Sequence, residues 1–167
     1  MISLRLAAGL ALSTLGTLGL GALGVPGAPD LFLLPVGDAA RRGGAPLAMV
    51  AGLFAGLLED LVGTSGRLLG LHVFTKVLAG YLLAIIGART VVEKPVAVGG
   101  LLAGAVFLES LVLVLLLWIL RGEVLAPAPL LVLSRAATTG LLAGALYAAS
   151  RIPWKQRREA RRRIRLG

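Results

Sequence analysis

LAMVAGLFAGLLEDLVGTSGRLLGLHVFTKVLAGYLLAIIGAR, residues 47–89, decides how the rest of the chain is read. It holds two apolar runs, 47–61 and 68–87, hinged at Gly63-Thr64-Ser65-Gly66, with Glu59, Asp60, His72 and Lys76 inside or beside hydrocarbon-like sequence. Lipid offers the backbone no hydrogen-bond partner, so the pair predicts a helical hairpin in a membrane. A charge at the bilayer centre costs about 2.5–3.5 kcal/mol on insertion scales, so these four side chains are expected to face a bundle interior and find partners.

The composition agrees. A chain of 167 residues that is 57% hydrophobic and only 15% charged is too apolar for an ordinary soluble domain, and its mean hydropathy is +0.93. With 23 glycines and a Leu/Ala bulk, it reads as closely packed helices in lipid, an all-α polytopic membrane protein; the long apolar runs do not suit a barrel of short alternating strands. Cysteine is absent and histidine occurs once, which removes disulfides, thiolate catalysis and Cys-type metal sites and leaves little for a His-based one. No metal and no cofactor are expected.

Working outward, residues 1–25 form an apolar run behind Arg5, read as an uncleaved anchor in preference to a signal peptide, since no clear Ala-x-Ala site precedes Pro26. Pro29-Asp30 can open a second segment, with Asp30 near a positive helix end. Residues 30–40 are short for a span and contain Pro35, so this crossing is expected to be broken, steeply inserted or re-entrant. Arg41-Arg42-Gly43-Gly44 reads as a basic turn into the hairpin. Residues 96–120 are the longest apolar run, with Glu109 and Ser110 near its middle, and residues 130–150 are the last, with Arg135 near its start. The expectation is six transmembrane helices, the second short or broken, within a bundle of residues 1–150, followed by a basic tail, 151–167.

The net charge of +9 resembles a nucleic-acid signature until the positions are read: eight cations lie in the tail. With six crossings, thirteen cations fall on one side and two on the other, so both termini are expected in the cytoplasm. Re-entry of residues 30–40 would move only Arg5. Trp154 suits an interfacial anchor, and Arg157, Arg158, Arg161 and Arg162 suit an anionic lipid surface. Nucleic-acid binding is not expected, as no aromatic-interleaved module accompanies the charge.

Counting 1.5 Å per residue, Lys76 lies about 13 Å in from Arg67 and Glu109 about 16 Å in from Leu120, so both are near the midplane and are each other's expected partners. A second layer is expected in which Asp60 or Glu59 pairs with Arg135 or His72. His72 and Lys76, four apart, share a helix face. These groups are read as structural ion pairs, with a ligand or ion cavity as the alternative. No nucleophile-and-base spacing, HExxH, GxGD or phosphate loop is present, so no enzyme is expected. Glycines four apart at Gly52/Gly56, Gly100/Gly104 and Gly140/Gly144 read as helix-packing faces, convergent rather than repeated.

The hairpin, with Gly56, Asp60, Gly66, Leu69, Gly70 and Tyr81, resembles the rod shape-determining protein MreD family, as does Pro29-Asp30 ahead of a short second segment. The resemblance covers the first half; residues 96–167 match in hydropathy alone, and the Arg41–Gly44 stretch and Glu59 have no counterpart. It implies a non-enzymatic component of the bacterial cell-elongation complex in the inner membrane. Its partners would be a bitopic MreC-like protein and, through it, RodA with its penicillin-binding partner and the MreB cytoskeleton. The alternative is the substrate-binding S component of an energy-coupling-factor transporter, whose six-helix bundle the fold is expected to resemble.

Overall fold

The computed structural model describes residues 2–62, 70–89, 94–121 and 128–151. All the regular structure among them is helical: α1 (Ile2–Ala22), α2 (Leu33–Val62), α3 (Leu71–Arg89), α4 (Pro95–Arg121) and α5 (Pro129–Ser150). All five are long and apolar enough to cross a membrane. Prolines stand at the starts of α4 and α5, where the missing N–H costs no helical bond.

The count of six helices, the second short or broken, that the sequence suggests is not confirmed: five elements are present among the described residues. The short second segment and the first arm of the hairpin are one element, α2. Helix runs through Arg41, Arg42 and Gly43, and the break falls at Gly44 (φ 70°, ψ −165°), a conformation that glycine reaches without steric penalty. A reversal can thus be made at one residue, with no loop. Both arms of α2 lie against α3 and run in opposite directions along it. An added Cβ on Gly80 would stand 2.5 Å from the Ala48 carbonyl oxygen of the second arm and 3.1 Å from Val36 of the first. One turn back along α3, Lys76 meets Gly52 of the second arm and Asp30 just ahead of the first. The first arm accordingly begins near mid-depth, and its eleven residues to Gly43 reach about 16 Å, half a bilayer core.

Small residues set the helix spacing. In lipid, apolar burial does not drive helices together, so close backbone approach has to. A Cβ on Gly52 would stand 2.3 Å from the Lys76 carbonyl oxygen, and one on Gly56 2.4 Å from that of His72. The α4/α5 contact is built the same way: Gly99 against Gly140, and Gly144 against Pro95. Phe32, Leu33, Val36, Ala48, Ala51, Ala55 and Val106 fill the centre, whereas Leu53, Leu57, Leu111 and Leu115 point outward, as lipid-facing side chains do. On α1, whose outer face carries exposed Leu4 and Leu15, buried Ser13 donates from Oγ to the Leu31 carbonyl at 2.8 Å.

One end of the bundle is basic. Arg5, Asp38 and Arg42 border a common cleft, and the Arg41 and Arg151 guanidinium groups lie 4.1 and 4.9 Å from the Tyr147 ring centroid. The starts of α1 and α4, the break in α2 and the end of α5 meet there.

Candidate functional site

Lys76 is completely buried on α3. Its Nζ lies 2.6 Å from Asp30 Oδ2, 2.9 Å from Glu59 Oε2, and 2.9 and 3.0 Å from the two oxygens of Glu109. An ammonium has three protons to give, and here it meets three carboxylates from three separate stretches of chain. Arg135 on α5 adds the second cation. Its Nη2 donates to Asp30 Oδ2 and to Glu59 Oε1, both at 3.0 Å. Asp30 and Glu59 thus each touch both cations, and Glu109 touches Lys76.

Hydrogen bonds to the backbone fix the carboxylates in place. Asp30 Oδ1 accepts from Phe32 N at 3.1 Å and Leu33 N at 3.3 Å, capping the first arm of α2 while Oδ2 serves the cations. The Asp30 backbone N–H donates to Thr139 Oγ1 at 2.7 Å, and that hydroxyl donates to the Arg135 carbonyl one turn back at 2.7 Å. Thr75 Oγ lies 3.1 Å from the His72 carbonyl and 3.3 Å from Glu109 Oε1. His72 Nδ1 stands 3.6 Å from Glu59 Oε2 and 3.7 Å from Glu109 Oε1. The two layers expected from the sequence are therefore one cluster, with His72 at its outer edge. The expected Lys76–Glu109 pair is present, and of the alternatives held open for the second layer it is Glu59 that pairs with Arg135.

Asp60 is not part of it. Its Oδ2 accepts from Gly70 N at 2.7 Å and Oδ1 from His72 N at 3.4 Å, so it caps the start of α3, where Gly70 takes φ 100°. Helix geometry explains the division, since adjacent residues project about 100° apart and only one of Glu59 and Asp60 can face Lys76. Asp30 was the member missed. The cue was available: a helix too short to cross, ending at Arg41-Arg42, must start at the depth of Lys76, and its cap must lie there too.

Of the glycines singled out, Gly52, Gly56, Gly140 and Gly144 are used inside the bundle, and Gly70 serves the helix start. Gly100 and Gly104 have open space where a side chain would be, and the α4 contact is made by Gly99 instead. Gly66, Trp154, Arg157, Arg158, Arg161 and Arg162 lie outside the described residues.

Glu59, His72 and Glu109 place ligand atoms within 4.8 Å of one another, a spacing compatible with a metal ion. The Lys76 ammonium, however, is within 2.9 Å of an oxygen of each carboxylate and already supplies their positive partner. The donor set therefore fits an ion-pair network better than a cation site. Among the described residues, four clefts along the helix seams share no residue with the cluster and are lined mainly by apolar side chains. Fold and site together define an all-helical protein with membrane-spanning helices, joined through its middle by buried charges. No family profile matches the chain, and no curated protein or solved structure matches it either.

Proposed function

We propose that this chain is a non-enzymatic scaffold of the bacterial cell-elongation machinery, an MreD-like subunit in the cytoplasmic membrane that binds an MreC-like bitopic protein through a helix face. RodA with its penicillin-binding partner, and MreB, are reached through that protein. The observation that carries the reading is the contrast between a spent interior and an open exterior. Every carboxylate of the cluster is engaged by a cation within the chain, which leaves a ligand little to bind, while Gly100 and Gly104 present bare backbone on the outside of α4. They border the α3/α4 seam, beside Ala79 and Ala105, and glycines four apart are what a second transmembrane helix needs for close approach. The basic end, with Arg5, Arg41, Arg42 and Arg151, faces the cytoplasm under the positive-inside rule, which puts both termini and the tail there.

The S-component reading needs convergent polar groups around a vacant pocket. In this chain the convergent groups point at one another. The deciding experiment is in-membrane crosslinking in the native cell, with mass spectrometric identification of the captured proteins, for the wild type and Gly100→Leu/Gly104→Leu. A single-pass protein with an extracytoplasmic coiled coil, captured by the wild type and lost in the variant, supports the scaffold. Capture of an ATPase with a helical coupling subunit overturns it.

A further inference from the structure

We infer that the cleft between α1 and the first arm of α2 binds an anionic phospholipid, with its phosphate at Arg5 and Arg42 and one acyl chain along the groove. This site is lined by none of the tail residues and by none that line the open face of α4. The cleft encloses about 330 Å³, in the range of small-ligand sites. It runs about 12 Å along α1, from Arg5 at the mouth to Ser13, past Gly9 and Leu12.

Width suits an acyl chain. An added Cβ on Gly9 would stand 3.2 Å from Pro35 Cβ, so the two helices touch at the floor of the groove, and an acyl chain is thin enough to lie along it. Charge selects the headgroup. Among the described residues Arg5 has no hydrogen-bond or ion-pair partner, and Arg42 bonds Asp38 through Nε alone, at 2.8 and 2.9 Å. The terminal nitrogens of both guanidinium groups are left to a phosphate, the anion whose geometry they fit best. Asp38 opposes the phosphate at Arg42 and tempers its affinity.

The test uses the full chain in neutral detergent with a phosphatidylglycerol carrying a photoreactive group in one acyl chain, and adducts mapped by peptide mass spectrometry. Adducts are expected on residues 4–13 and 31–39, displaced by unlabelled phosphatidylglycerol and not by phosphatidylcholine or glycerol phosphate. Arg5→Gln and Arg42→Gln should each lower cleft labelling about fivefold, the ratio expected for one cation beside an anionic headgroup. Arg41→Gln removes the same charge outside the cleft and should leave labelling unchanged; Asp38→Asn should raise it. Leu12→Trp fills the groove without altering charge and should abolish cleft adducts at an unchanged thermal midpoint. Labelling spread over the outer faces of α3 and α4, an Arg41→Gln effect equal to that of Arg5→Gln, unchanged labelling in Leu12→Trp, or displacement by glycerol phosphate would each overturn the assignment.

Discussion

Replacing Lys76 by Met tests the cluster most directly, because methionine keeps an unbranched side chain only one atom shorter and removes the charge. In the wild type, three carboxyl groups face two cationic side chains, Lys76 and Arg135, an excess of one acidic group. Lys76→Met raises the excess to two. Asp30 and Glu59 keep Arg135, but Glu109, only 4% exposed, loses its only lysine or arginine among the described residues. Stranding one member of a buried pair costs about 3–5 kcal/mol, a large part of the ~5–15 kcal/mol that holds a typical domain together. At about 2–4 °C per kcal/mol for a chain of this size, the thermal midpoint should fall by about 6–20 °C. Monodispersity of the purified protein after heating, read by fluorescence-detected size exclusion, measures the midpoint. Adding Glu109→Gln returns the excess to one and should recover at least half of the loss. A Lys76→Met protein with the wild-type midpoint, or a double variant no better than the single, would refute the ion-pair account.

Arg135→Gln should cost less, about 2–3 kcal/mol, because Arg135 is 34% exposed and its two carboxylates retain Lys76; the same heating assay checks the order of the two variants. Asp60→Ala should remove only a helix cap, about 1 kcal/mol or 2–4 °C, and a drop as large as that of Lys76→Met would place Asp60 in the charge network. Gly52→Ala forces its methyl against the Lys76 carbonyl and should sharply reduce the folded yield in membranes, whereas Gly104→Ala meets open space and should leave yield unchanged. Equal yields would contradict the close α2/α3 packing.

The pairing of Lys76 with Glu109 was legible because helix rise is fixed, so depth follows from counting residues. What counting does not supply is azimuth. Glu59 and Asp60 are neighbours in sequence and in depth, as are Gly99 and Gly100, and which of each pair faces inward depends on how α2 and α4 rotate in the packed bundle. The break at Gly44 was hidden for a different reason. Arg41-Arg42-Gly43-Gly44 has the composition of a loop, yet one residue with φ 70° reverses the chain while helix continues up to it. Asp30 joined the cluster because that reversal leaves the first arm half as deep as a full crossing.

The span of the cluster along the chain has a consequence for biosynthesis. Its contacts join residues as far apart as Asp30 and Arg135, 105 positions, so the charges enter the membrane at different times. Asp30 and Glu59 are made first and have no cation from the cluster until α3 delivers Lys76, which leaves one carboxylate in excess; Glu109 raises the excess to two, and α5 with Arg135 returns it to one. Every intermediate thus carries charge it has not compensated, at about 2.5–3.5 kcal/mol for each residue left in lipid, which favours late release of these segments from the insertion machinery. A truncated product that ends before Pro129 would keep two carboxylates in excess instead of one, so the contacts that hold the finished protein together are complete only once α5 is in place.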